Sequence, residues 1–156
     1  MPATPQTRRV LVLVSAKWRD ARTTATAFKR VEEVYKGPYT LVLEDNGDKG
    51  TIFATTAAHR LGWGVEPYLV DQKCAAECTP GHRRQGGPDG DWCPTASRRA
   101  LDAQLDRGID VCIALMRSNG AAEARLGQQA ANHRGIAVWR FAHARQEAIG
   151  RGVTSS

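Results

Sequence analysis

The apolar run Val10-Leu11-Val12-Leu13-Val14 decides the fold class of this chain. A strand without polar alternation, built only from valine and leucine, is typical of a parallel sheet in which both faces of each strand are buried. Similar short apolar runs recur along the chain, each bounded by glycine, proline or polar residues. The predicted strands after the first are Tyr39–Leu43, Val65–Val70, Asp110–Met116 and Ile136–Trp139.

Segments with helical periodicity separate these runs. The first has Phe28, Val31 and Val34–Tyr35 at helical spacing, and Asp20 is its expected N-cap. Regular alternation of strands and helices predicts a parallel sheet joined by right-handed crossovers. We therefore expect a doubly wound, Rossmann-like α/β domain with a parallel sheet of about five strands. The predicted helices are Ala21–Lys36, Thr51–Leu61, a segment from Thr95 or Ser97 to Arg107, and Ala121–His133.

With 156 residues, the chain is long enough for one domain with a substantial core. We expect that domain to span residues 8–143, between a loose lead-in at residues 1–7 and a flexible tail at residues 144–156. No apolar signal region begins the chain, and its longest apolar runs are far shorter than a membrane span. These features predict a cytoplasmic protein without a membrane partner.

A stretch from Cys74 to Arg99 holds three of the four cysteines in the pattern C-x3-C-x3-H-x10-C. Glycines and prolines interrupt it so often that neither a helix nor a strand can run through it, and a loop of this length needs another source of order. Three thiolates and one imidazole form a common tetrahedral zinc set, so zinc is the predicted cofactor. Ordinary reduced thiols and a disulfide are the alternatives, although a disulfide leaves the histidine and the third thiol unexplained. The predicted zinc ligands are Cys74, Cys78, His82 and Cys93.

The formal net charge of +6 is concentrated in short basic groups. His82-Arg83-Arg84 and Arg98-Arg99 lie in the cysteine-rich stretch, and Arg8-Arg9 precedes the first strand. Such clustering favours an anionic partner, either a phosphorylated small molecule or nucleic acid. A solvated basic surface without a ligand is the alternative.

The predicted fold also indicates where a ligand would bind. In doubly wound sheets, ligands lie outside the carboxyl ends of the strands, at the point where the strand order reverses. That edge would collect Ser15–Trp18, Asp45–Thr51 and Arg117–Gly120. The cysteine-rich stretch leaves the third strand at the same edge, so it could form a wall of a site as well as a clamp.

Aromatic residues and the remaining cysteine divide between core and edge. Trp63 and Trp139 are expected in the core, whereas Trp18 and Trp92 fall in loops at the predicted ligand edge. Cys112 lies inside an apolar run, where a buried and inert thiol is the usual finding.

The middle of the chain resembles a known family. It has C-x3-C-x3-H-R-R and then Cys93-Pro94-Thr95-Ala96-Ser97-Arg98-Arg99 before a predicted helix, and it closes on Gly135-Ile136-Ala137-Val138-Trp139. These motifs resemble the SLOG superfamily of Rossmann-like nucleotide-binding domains, in the YspA-like branch of actinobacteria and their phages. The resemblance covers roughly residues 8–142.

The resemblance implies a nucleotide-like anionic small molecule as ligand, although the family's phosphate loops are altered. After the first strand, Val14–Trp18 keeps the family's serine without its glycine and arginine. After the second, Glu44–Thr51 keeps two glycines and a lysine beside three acids, which repel phosphate. We therefore expect a zinc-stabilised protein that binds or senses a nucleotide without catalysis. The residues that the resemblance assigns to the ligand are Ser15, Lys17, Gly47, Lys49, Gly50, Thr51, Arg98, Arg99 and Arg117.

Three other functions remain open. A nucleotide-cleaving hydrolase of the phosphoribohydrolase type would need Glu123 or Asp48 as its acid. A nucleic-acid-binding protein would use the arginines of the cysteine-rich stretch on phosphates, with Trp92 available to stack on a base. An assembly module would bind no small ligand. Domains of the resembled family often self-associate, so a homo-oligomer is open under each reading.

Overall fold

The computed structural model describes residues 6–70, 95–116 and 122–142. Within these ranges, five strands alternate with four helices, as the apolar runs and the helical periodicity predict. The predicted zinc-stapled insertion follows the third strand, and its residues 74–94 lie outside the described residues. In chain order the elements are β1 (Arg8–Val14), α1 (Ala21–Val34), β2 (Tyr39–Glu44), α2 (Lys49–Arg60), β3 (Gly64–Tyr68), α3 (Ala96–Asp106), β4 (Val111–Met116), α4 (Ala122–His133) and β5 (Val138–Ala142).

The five strands form one parallel sheet in the order β3-β2-β1-β4-β5. Val10 of β1 is in register with Leu41 of β2 on one side and with Val111 of β4 on the other. The chain therefore builds outward from β1 to β3, returns to the centre and builds outward again through β4 and β5. The strand order reverses between β1 and β4, which is where Rossmann-like sheets leave a crevice at their carboxyl edge.

Both faces of the sheet carry a core, which accounts for the continuous apolar run of β1. Because successive side chains of a strand point to opposite faces, Val10 and Val12 pack in the cluster that contains Phe28 of α1 and Ala54 of α2. Leu11, between them, belongs to the cluster formed with α3 and α4. The members that these helices give to the second cluster are Leu101, Leu105, Ala130 and Ala131.

Helix α1 begins as predicted and ends two residues early. The Asp20 carboxylate accepts a hydrogen bond from the Thr23 amide at 2.9 Å, so the predicted N-cap is confirmed. Val34, however, is 55% exposed, although its spacing had placed it on the buried face. Six residues advance an α-helix by about 600°, which leaves Val34 roughly 120° from Phe28. None of the helices in the described ranges is long and apolar enough to cross a membrane.

Candidate ligand-binding site

A cleft of about 290 Å³ opens at the carboxyl edge of the sheet. Its floor is the last half of β1, Val12 to Val14, and Leu101 of α3 and Gly127 of α4 also line it. Gly127 brings α4 close to the sheet, since a Cβ there would lie 2.7 Å from Leu13 Cδ1. The cleft thus occupies the edge at which the fold predicts a ligand. Its polar lining residues are Glu44, Asn46, Asp48, Thr51, Tyr68, Ser97 and Arg98.

One wall of the cleft is acidic and carries a protonated phenol. Glu44 ends β2 and pairs in register with Tyr68, the last residue of β3. Burial raises the pKa of Tyr68 well above its usual value, and the charge of Glu44 raises it further. Tyr68 is therefore a neutral hydroxyl at physiological pH, and Glu44 lies half-buried on the neighbouring strand.

Asn46 orders the turn between this wall and α2. Its side-chain oxygen accepts hydrogen bonds from the Asp48 amide at 2.9 Å and from the Thr51 hydroxyl at 2.8 Å. Asp48 is the N-cap of α2 without a side-chain capping bond, and its carboxylate is favoured there by the helix dipole. The resemblance assigns the Thr51 hydroxyl to a ligand. In the structure this hydroxyl instead donates a hydrogen bond to Asn46.

Gly50 lies where the turn after β1 packs on the first turn of α2. Its amide donates to the carbonyl of Ala16 at 3.2 Å, and a Cβ at this position would overlap the carbonyl oxygen of Ser15. The Gly50 amide is therefore directed to the neighbouring loop. Gly47, by contrast, is exposed and has a φ of +75°, a conformation that favours glycine.

The basic part of the lining is formed by the first turn of α3. Ser97 and Arg98 line the cleft there, and no acidic residue lies in this turn. Arg98 is held by Asp102 through a bond from Nε at 3.2 Å, and its side chain is 46% exposed. Because the amino end of a helix carries a partial positive charge, it adds to the guanidinium in attracting an anion. The lining of the cleft thus includes both acidic and basic side chains.

The other predicted ligand residues fall around the cleft. Ser15 is buried at the end of β1, and its amide donates to the Leu115 carbonyl of β4 at 3.0 Å. Lys17 and Lys49 are exposed and are not among the described residues that line the cleft. Arg99 is partly buried in the first turn of α3. Arg117 lies outside the described residues.

The four predicted zinc ligands, Cys74, Cys78, His82 and Cys93, also lie outside the described residues. In the ranges that are described, no group of three or more histidine, cysteine or acidic side chains could hold a metal ion. Cys112 is fully buried in β4, as predicted, and burial raises the pKa of its thiol to about 12. A thiol that stays protonated is unreactive at physiological pH.

Trp18 lies in the loop after β1, as predicted, but it is not among the described residues that line the cleft. Its side chain is fully buried, and its indole Nε1 donates to the Thr24 hydroxyl at 2.8 Å. The loop after β1 therefore folds back on α1 and adds a large side chain to the core. Trp63 is buried as predicted, with its ring stacked at 4.9 Å from that of Phe28 and 5.1 Å from that of Tyr39.

The basic pair Arg8-Arg9 does not contribute to an anion-binding surface at this edge. It lies at the amino end of β1, on the opposite edge of the sheet. Arg9 donates to Glu66 Oε2 at 2.8 Å and to the Gly108 carbonyl at 2.6 Å, and Arg8 pairs with Asp110 at 3.5 Å. These charges tie β1 to β3 and to the turn before β4.

Five polar lining residues were not among the predicted ligand residues: Glu44, Asn46, Asp48, Tyr68 and Ser97. The signal that could have found two of them is their position, since Tyr68 is the last residue of a strand and Ser97 lies in the first turn of a helix that lines the cleft. A comparison of the chain with protein-family models and with curated proteins gave no match. The candidate site is therefore defined by its geometry alone: an open cleft with acidic and basic lining residues and an apolar floor.

Proposed function

We propose that this protein is a zinc-stabilised, SLOG-like domain that binds a nucleotide-like anionic ligand in the cleft and does not transform it. The observation that carries the proposal is a single cleft, floored by β1, whose lining includes Arg98 at the amino end of α3 and the acidic residues Glu44 and Asp48. A nucleotide has the matching groups, since one end is an anion and the other presents hydroxyl and amide-like groups.

The described helix ends favour α3 as the phosphate position. At α1, the Asp20 carboxylate accepts from both the amide and the hydroxyl of Thr23, at 2.9 and 2.6 Å. At α2, the amides of Asp48 and Gly50 already donate to Asn46 and Ala16. Two helix starts that hold phosphate in other Rossmann-like proteins are thus used within the chain, and their nearby carboxylates repel an anion. The first turn of α3 has a cation instead, Arg98, whose carboxylate partner Asp102 lies one turn further along the helix.

The size of the cleft limits the ligand. Small-molecule sites in proteins usually measure about 300–1,000 Å³, and this cleft, at about 290 Å³, lies at the lower end of that range. A mononucleotide suits such a volume better than a dinucleotide. We therefore take a nucleoside monophosphate as the working ligand.

Zinc enters the proposal as a structural ion. The candidate ligands Cys74, Cys78, His82 and Cys93 lie between β3 and α3 in the sequence, and the last of them comes five residues before Arg98. A tetrahedral site there would fix the chain just before the helix that carries this arginine. Metal analysis of the purified protein should give one zinc per chain, and a chelator should lower its melting temperature. Metal-free protein with an unchanged melting temperature would rule zinc out.

Calorimetric titration with the common ribonucleoside 5′-monophosphates tests the ligand. Arg98→Ala should weaken binding by roughly tenfold or more, because hydrogen bonds to charged groups contribute about 1.5–3 kcal/mol. Arg30→Ala is the matched control, since Arg30 is exposed on α1, away from the cleft, and its loss should change affinity less than about twofold. Equal effects of the two substitutions, or no binding at millimolar nucleotide, would contradict the proposal.

A hydrolase is the second candidate, because two carboxylates, Glu44 and Asp48, line the same cleft. One could act as general acid or base on a glycosidic bond. Chromatography of each nucleotide after prolonged incubation with the protein distinguishes a hydrolase from a protein that only binds the nucleotide. A released base that disappears with Asp48→Asn would establish the hydrolase and overturn the non-catalytic proposal.

A further inference from the structure

A groove of about 470 Å³ lies between α1 and α2. The two helices pack on one face of the sheet and run in the same direction, since each joins a strand to its parallel neighbour. We infer that this groove binds the chain of a medium-length amphipathic carboxylate, whose anionic head is held by Lys29 and Arg60. The groove shares no lining residue with the cleft described above, so the inference does not depend on the proposed function.

One end of the groove is apolar. Ala21 and Ala25 are four residues apart and therefore lie on the same face of α1, where their small side chains leave space beside α2. Ile52 and Phe53 line the same end from the beginning of α2. Ile52 is 57% exposed, although isoleucine is among the residues most often buried. These apolar side chains are contiguous in one groove, which is the arrangement that marks a site for an apolar ligand group.

The other end of the groove is basic. Lys29 comes eight residues after Ala21 on α1, and Arg60 comes eight residues after Ile52 on α2, so both cations lie about 12 Å along the groove from its apolar end. Among the described residues that line the groove, none is acidic. In the described ranges, neither cation takes part in an ion pair. An anion bound there would therefore meet two cations whose charges are not already neutralised.

Local helix chemistry does not account for Lys29. A cation in the last turn of a helix is stabilised by the helix dipole, and Arg60 has that position in α2. Lys29 lies five residues before the end of α1, beyond the last turn in which this effect acts. Glu32 is three residues further along, but its carboxylate accepts a hydrogen bond from the Trp63 indole at 2.9 Å. The charge of Lys29 is thus available to a ligand at the end of the groove where Arg60 lies.

The size and the charge of the groove together select the class of ligand. Small-molecule sites usually measure about 300–1,000 Å³, and the groove lies within that range. Its length of about 12 Å matches the extended chain of a medium-length carboxylate such as decanoate. A cationic head group would be repelled by the basic end. The chain's own last residues, 143–156, carry two arginines and one glutamate, so they match a basic groove poorly.

Isoleucine-methyl NMR of the full-length protein, titrated with decanoate, tests the inference. The Ile52 methyl signal should shift until the site is saturated, while that of Ile113, fully buried in β4, should not move. Hexanoate should bind roughly tenfold or more weakly, because it buries fewer methylene groups. Ala25→Trp fills the groove and should abolish the shift on titration. Thr26→Trp is the matched control, since Thr26 is exposed on the same helix and does not line the groove.

Charge reversal gives a second test at two exposed positions, where folding should not depend on the side chain. Lys29→Glu combined with Arg60→Glu should weaken decanoate binding roughly tenfold and make decyltrimethylammonium the better ligand. Equal affinity of the unmodified protein for these two amphiphiles, or an Ile52 signal that does not move at millimolar decanoate, would overturn the inference. An Ile52 signal that shifts with protein concentration alone would assign the groove to a second copy of the chain and overturn it as well.

Discussion

The α-carbon of Gly50 lies against the backbone carbonyl of Ser15, so closely that a Cβ at Gly50 would overlap the carbonyl oxygen. The amide of Gly50 donates to the next carbonyl along that loop, that of Ala16. Since Ala16 and Thr51 both line the cleft, this contact fixes two parts of the cleft relative to each other. The glycine is required for close approach of two backbones, which is a different role from binding phosphate.

Gly50→Ala should therefore destabilise the protein, although alanine is normally the better helix residue by about 0.5–1 kcal/mol. Overlap with a backbone atom cannot be relieved by a rotamer change, and we expect a net loss of about 1–3 kcal/mol in the free energy of unfolding. Urea denaturation measures this loss.

Gly64→Ala is the matched control for this substitution. A Cβ at Gly64 would meet the Thr40 hydroxyl oxygen at 3.3 Å, and the residue is exposed at the start of β3. Its free energy of unfolding should change by no more than about 0.5 kcal/mol. If Gly50→Ala proved as harmless as the control, the loop after β1 would have to lie farther from α2.

The buried pair Trp18 and Thr24 gives a second prediction. The Thr24 hydroxyl accepts from the indole Nε1 and donates to the Asp20 carbonyl, both at 2.8 Å. Thr24→Val keeps the shape and removes both bonds, which leaves the indole N–H buried without its acceptor, at a cost of about 1–3 kcal/mol. Thr26→Val is the control, because its exposed hydroxyl also donates to the fourth preceding carbonyl, at 3.0 Å, and serves no indole. Equal melting temperatures for the two variants would contradict the prediction.

The local sequence pattern predicted the sheet well, because a strand that is buried on both faces is apolar at every position. The run from Val10 to Val14 is apolar at every position since each side chain meets a helix layer. The N-cap at Asp20 was predictable for the same reason, as its partner Thr23 is three residues away. Both features depend on neighbours in the chain.

Features that depend on distant partners were not predictable in this way. Arg9 belongs to a basic pair in the sequence, but its partners Glu66 and Gly108 lie 57 and 99 residues along the chain. Tyr68 and Ser97 share the cleft only because the sheet register and the placement of α3 bring them to one edge. Charge clustering along the chain therefore did not reveal the ion pair of Arg9 with Glu66, and no local sequence pattern predicted the residues that line the cleft.

Arg9 should contribute to the stability of the fold and not to the affinity for the nucleotide. Its guanidinium joins β1 to Glu66 of β3 and to the carbonyl of Gly108, with its side chain only 17% exposed. Arg9→Ala should lower the free energy of unfolding by about 1–2 kcal/mol, because the Gly108 carbonyl and Glu66 lose a charged donor. Nucleotide affinity, measured by titration under native conditions, should stay unchanged. A variant that keeps its stability and loses affinity would place Arg9 in the site instead.

Cys112 should make the protein sensitive to alkaline pH. Burial raises the pKa of its thiol from 9.0 to about 12, so between these values the unfolded chain releases a proton that the folded chain keeps. The unfolded state then binds fewer protons, and stability falls as pH rises through this window, by up to about 1.4 kcal/mol per pH unit. Cys112→Ala removes this contribution. Its deficit relative to the unmodified protein, measured by urea denaturation from pH 8 upward, should therefore shrink above pH 9. A deficit that stays constant from pH 8 to pH 11 would mean that the thiol titrates alike in both states, and thus that the centre of β4 is less buried than the fold requires.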